Sequence, residues 1–148
     1  MHRAKVTLRM VHVSVGSPAG TYSVENASFF RFVVRLADAG LSLRPSERDA
    51  VDVLAAIPNA FVDEDETSGA GWRVVPAASD EDWPVLEVTP QRLRSALQTA
   101  RRLLWENASP VGITAPEIVS VDEEIDNVLV VLARAEAAGF SVNVSYVS

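Results

Sequence analysis

The stretch VLEVTPQRLRSALQTARRLLWE, residues 85–106, writes a strand, a boundary and a helix in succession. Val85 to Val88 is a short β-branched run of the kind that pairs in a sheet. Thr89 offers the side-chain oxygen an N-cap needs, and Pro90 suits the first helical position, where no amide hydrogen is required. Leu93, Ala96, Leu97, Ala100 and Leu104 then recur at helical spacing, which predicts one buried stripe over 90–106. A strand leading straight into an amphipathic helix is a unit of two-layer packing, and the rest of the chain repeats the alternation.

Before this stretch, Ala4, Val6, Leu8 and Met10 share one strand face, and Val11, Val13 and Val15 take the other. The change of phase predicts a bulge or a strand covered on both sides. Gly16-Ser-Pro-Ala-Gly20 reads as the turn that ends it. A helix is expected over about 26–39, apolar on most of its circumference through Phe29, Phe30, Phe32, Val33, Val34 and Leu36, and therefore central. Gly40 is its expected C-terminal cap. Ser46 and Asp49 resemble a capping pair, followed by Ala50, Val53, Leu54 and Ile57 at helical spacing and an expected stop before Pro58. Residues 62–71 lack apolar periodicity and read as a mobile loop. Trp72 to Val75 and Val85 to Val88 read as short strands of one hairpin.

Downstream, Ser120-Val-Asp-Glu123 matches a capping box, and the helix after it should bury Ile125, Val128, Leu129 and Leu132. Gly139 closes that helix, and Phe140, Val142, Val144 and Tyr146 alternate with polar residues as a strand with one solvated face. Together these elements predict a single α+β domain over residues 1–148: two layers, with a mixed sheet of about four strands packed by about four helices.

Composition narrows the chemistry. Hydrophobic residues make up 48% of the 148 and charged ones 22%, enough to build a core of ordinary globular size. With no cysteine, thiolate zinc sites, disulfides and cysteine nucleophiles are excluded. Met1 to Lys5 is followed by an alternating pattern rather than the apolar core of a signal peptide, and no run approaches a membrane span. The expectation is a soluble cytoplasmic protein.

The net charge of −7 is confined to Val62–Glu87, where eight acids face one base; the remaining twelve acids and twelve bases cancel. Such a field attracts basic partners and repels phosphate backbones. The first run, Asp63, Glu64, Asp65 and Glu66, lacks the spacing of an EF-hand loop, so no metal is assigned. A solvated loop accounts for it without function. The second run, Asp80, Glu81 and Asp82, abuts Trp83, and acids beside an aromatic resemble the rim and anchor of an interface. The same Trp83 could equally begin a strand and sit in the core. Asp122-Glu123-Glu124 is explained by the capping box and the helix dipole.

An alternative surface has the opposite sign. Arg94, Gln98, Arg101 and Trp105 lie on one flank of helix 90–106, a stripe that could meet phosphate or stack on bases, or could simply cover the core edge with arginine stems. The overall charge argues against nucleic acid. The Gly16–Thr21 segment, expected between a strand and a helix, lacks the lysine of a phosphate loop. His2 and His12 assemble no catalytic set. No catalytic residue, metal or cofactor is therefore assigned.

Three classes of function follow. The first is a protein-binding module, of inhibitor or immunity type, that blocks a basic surface of a partner through Asp63–Glu66 and Asp80–Trp83. The second is a carboxylate-based enzyme or a small-ligand domain. The third is a structural subunit that forms homo-oligomers through the edge of a terminal strand.

Overall fold

In the computed structural model, residues 12–24, 35, 41–59, 68–69, 71–75, 85–107 and 112–147 are described. The expected helix over 26–39 and its Gly40 cap lie outside them, apart from Arg35, which is helical. So does the first strand up to Val11.

Among the described residues the domain is α+β. Its strands are β1 (His12–Ser17), β2 (Gly20–Val24), β3 (Ser68–Gly69), β4 (Trp72–Val75), β5 (Val85–Val88) and β6 (Val142–Val147). Its helices are α1 (Pro45–Asn59), α2 (Pro90–Glu106) and α3 (Ala115–Ala138). The strands form one open sheet in the order β2-β1-β6-β5-β4-β3, with the two-residue β3 at one edge.

Every pairing is antiparallel, which corrects the expected mixed sheet of about four strands. The reason lies in the connection after β5. A single crossover helix would return the chain parallel to its starting strand. Here two helices intervene, so α2 carries the chain down, α3 carries it back up, and β6 descends beside β5 with Val142 opposite Val88.

Pro18 and Ala19 are the turn of a hairpin, so the Gly16–Gly20 segment leads into a strand rather than a helix. Ser17 Oγ accepts a hydrogen bond from the Ala19 amide at 3.1 Å, and β2 pairs back onto β1 with Val15 opposite Tyr22. Both β1 and β6 are paired on each side, so neither is a sheet edge. Among the described residues the edges are β2 and β3.

Alternation sorts the sheet into two faces. Val15, Val24, Val74, Leu86, Val88, Val142 and Val144 are buried in the core under the helices, with Tyr22 and Trp72 packed against them. Thr21, Ser23, Arg73 and Asn143 are exposed on the opposite face. Phe140, expected to join the inward series, is 39% exposed and precedes β6.

Helix α2 begins as its sequence dictates: Thr89 Oγ1 accepts from the Arg92 amide at 3.2 Å, and the whole predicted stripe is buried. It lies between α1 and α3, and α3 covers β1 and β2. Two helix starts differ from expectation. Helix α1 opens at Pro45, with Glu47 reaching back to the Arg44 amide at 3.0 Å, and it continues through Pro58 to Asn59. Helix α3 opens at Ala115, where Thr114 and Glu117 form the capping box, so Ser120 and the acids after it lie inside the helix. At its other end Gly139 has φ 78° and caps the helix as expected.

Candidate functional site

Asp63, Glu64, Asp65, Glu66, Asp80, Glu81, Asp82 and Trp83 lie outside the described residues. Their points of attachment do not. Ser68 stands opposite Arg73 and Gly69 opposite Trp72, so the chain reaches β3 from the Val75 end of β4. Val75 stands opposite Val85, so the segment between β4 and β5 leaves and returns at that same end. Both acidic runs therefore join the sheet at one pole. Within the expected loop 62–71, Ser68 and Gly69 form the edge strand β3.

The opposite pole holds a shallow depression of about 330 Å³ lined by Trp72, Arg73, Glu87, Thr89 and Ser141, among others. Arg73, Glu87 and Thr89 in its lining are engaged by neighbours. Arg73 Nε meets Glu87 Oε1 at 3.1 Å, the Thr89 amide donates to Gly71 O at 3.0 Å, and the Thr89 hydroxyl caps α2. Among the described residues no group of three His, Asp or Glu side chains is placed to hold a metal ion.

The arginine flank of α2 becomes a seam with α3, which runs antiparallel to it. Arg94, near the start of α2, pairs with Glu136 near the end of α3. That hydrogen bond holds the Glu136 carboxyl below its ordinary pKa. Arg101 pairs with Asp126 at 2.7 Å and faces Asp122 at 3.6 Å. The indole N–H of Trp105 donates to Asp122 Oδ2 at 3.1 Å. Arg94, Arg101 and Trp105 are thus brought together with three acids that the sequence pattern of α2 alone does not contain. Asp122 serves this seam rather than a helix dipole. Glu124, two residues on, is buried and accepts from the Tyr22 hydroxyl at 2.6 Å, which in turn accepts from Asn127 Nδ2.

A second charged cluster ties α1 to α2. Glu47 is buried, yet Arg102 Nη2 lies 2.6 Å and Arg44 Nη2 3.2 Å from its Oε2. Hydrogen bonds from Arg102 first and Arg44 second pull its pKa down to about 2, against the opposing effect of desolvation. Arg102 also meets Glu106 at 3.0 Å. The sequence signal for this cluster is Glu47 three residues after Arg44, a spacing that Ser46 and Asp49 repeat two residues downstream.

No family model, curated protein or solved structure matches this chain. Among the described residues, no helix is long and apolar enough to cross a membrane.

Proposed function

We propose that this chain is a cytoplasmic protein-binding module, of inhibitor or immunity type, that blocks a basic surface of a partner protein. The acids Asp63–Glu66 and Asp80–Asp82 form the rim of its contact surface and Trp83 the anchor. The observation that supports this reading is the attachment of both acidic runs to the same pole of the sheet, at the β3–β4–β5 edge. Two runs with thirteen residues between them along the chain can then act on one approaching surface. Six arginines of the described body, Arg44, Arg73, Arg92, Arg94, Arg101 and Arg102, are matched to acids within it. Outside the two runs the acids and bases of the chain are equal in number, so the net charge of −7 that would steer a partner is that of the two runs.

The test is affinity capture from the native cell extract with the wild type and with a variant carrying Asp63, Asp65, Asp80 and Asp82 changed to Asn. The captured partner is then purified and its association measured by stopped flow. The expected result is a basic partner whose on-rate falls in the variant, with the difference shrinking as salt rises past about 0.15 M. Trp83→Ala should instead raise the off-rate at all salt concentrations in a variant shown to be folded. A partner that associates with the four-Asn variant at the wild-type rate in low salt would reject the reading.

A further inference from the structure

We infer that β2 is the interface of a homodimer, in which two copies of this chain pair β2 with β2 antiparallel about a two-fold axis at Tyr22. The axis stands perpendicular to the sheet, so one sheet continues across the contact. Among the described residues nothing pairs with the outer side of β2. The hairpin fixes what that side offers. Only Pro18 and Ala19 separate Ser17 from Gly20, so the pairs Ser17–Gly20, Val15–Tyr22 and Val13–Val24 exchange the hydrogen bonds with β1. Thr21 and Ser23 therefore turn both N–H and C=O outward. Sheet edges are ordinarily blocked by a charge, a proline or a bulge, and Gly20 to Val24 holds none of the three.

An antiparallel register centred on Tyr22 is self-complementary, as a two-fold contact requires. It sets Thr21 opposite Ser23 of the second copy, so the outward backbone groups meet in pairs. The helical layer obeys the same axis. Strand β2 and helix α3 run in opposite directions, since Arg134 lies beside Gly20 while the Tyr22 hydroxyl meets Glu124 and Asn127. At 100° per residue, Glu123, Asn127 and Arg134 project within about 40° of one another, on the flank of α3 nearer β2. The midpoint of Glu123 and Arg134 falls within about half a turn of Asn127. An axis through Tyr22 thus lays each Arg134 across from Glu123 of the other copy.

Charge selects a second copy as the occupant. Glu123 and Arg134 are exposed, and neither has an ion-pair partner among the described residues. The other acids toward that flank are engaged, Glu117 in the capping box of α3 and Glu124 with Tyr22. Each copy thus presents one acid and one base at positions that the axis exchanges, and pairing two copies matches both. The acidic runs attach at the β3–β4–β5 end of the sheet, away from the β2 edge. Joining copies at β2 keeps those runs at the two ends of the joined sheet, where their mutual repulsion is screened. The contact does not depend on what the runs bind.

Sedimentation equilibrium of the full chain is the test, and the expected result is a monomer–dimer equilibrium with a Kd below about 100 µM. Thr21→Lys combined with Ser23→Lys sets lysine opposite lysine across the axis and should weaken the dimer by about tenfold or more. Arg134→Glu and Glu123→Arg should each weaken it by about threefold to tenfold, since each replaces two opposite-charge contacts per dimer with two like-charge ones. The two reversals combined should restore the wild-type Kd. All four side chains are exposed, so circular dichroism of every variant should match the wild type. Hydrogen exchange of the Thr21 and Ser23 amides should slow as the wild-type concentration rises. A chain that stays monomeric at about 100 µM overturns the inference, whether β2 takes up a strand of a different protein or none. A dimer unchanged by the two lysines overturns it too, as do reversals whose effects add instead of cancelling.

Discussion

Replacing Gly139 by Val isolates the energy of one backbone conformation. Gly139 sits at φ 78°, ψ 26°, the left-handed region. Its N–H donates to Glu136 O at 3.2 Å and the Phe140 N–H donates to Ala135 O at 2.9 Å, which together satisfy two terminal carbonyls of α3. A Cβ built at this position meets nothing within 4 Å. Packing therefore contributes nothing to the cost, and backbone strain of about 1–3 kcal/mol is the whole native-state effect. The same substitution stiffens the unfolded chain and returns about 0.4–1 kcal/mol. The net loss lies between about 0 and 2.6 kcal/mol and centres near about 1.3 kcal/mol, which for a chain of this size lowers Tm by about 3–5 °C. Gly139→Asn, whose side chain tolerates the left-handed region, should lose less. Thermal and urea denaturation followed by circular dichroism measure both. A Val variant within about 1 °C of the wild type, or Val and Asn variants of equal stability, would refute the backbone account.

Thr114→Ala should cost about 0.5–2 kcal/mol by removing the N-cap of α3, while Ser120→Ala, inside the helix, should stay within about 0.5 kcal/mol. Urea midpoints of the two variants decide between the two capping registers. Glu47 has a folded pKa of about 2 against an ordinary 4.5, so its contribution is fully present above pH 4.5 and is lost as pH falls from there through 2. Stability measured between pH 6 and 2 should show that decline, and Glu47→Gln should flatten it. An identical acid profile in the variant would place the titrating group elsewhere. Leu97→Ala, at a side chain 1% exposed, should cost about 2–5 kcal/mol in a denaturant titration with unchanged slope.

The elements read correctly were those whose signals are local and unambiguous. Thr89-Pro90 with its five-residue stripe, the cap at Gly139 and the pairing of β4 with β5 each follow from adjacent residues. The helix start at α3 did not, because Thr114-Ala-Pro-Glu117 and Ser120-Val-Asp-Glu123 both fit the capping-box spacing. Pattern alone cannot rank two matches six residues apart. Burial of Ile118 and Val121 by packing decides for the earlier one. Strand β2 was missed because Gly20 to Val24 holds only two apolar residues, Tyr22 and Val24, too few for a period to show. Strand direction is not a local property either. It follows from the number of helices between β5 and β6, and from their docking side by side.

The candidate surfaces show the same limit with a change of sign. Read along α2, Arg94, Arg101 and Trp105 are an anion-binding stripe, since nothing in that helix opposes two arginines on one flank. The opposing charges come from α3, at Asp122, Asp126 and Glu136, between 21 and 42 residues away. Once these meet, the arginines are engaged and the group left open to solvent is the indole. A phosphate approaching this seam would have to compete with carboxylates at hydrogen-bonding distance, and those are already desolvated in part. A hydrocarbon side chain approaching Trp105 displaces no ion pair. The same three residues that suggest nucleic acid along one helix are, in three dimensions, two arginines paired across the seam and an indole whose N–H is already bonded.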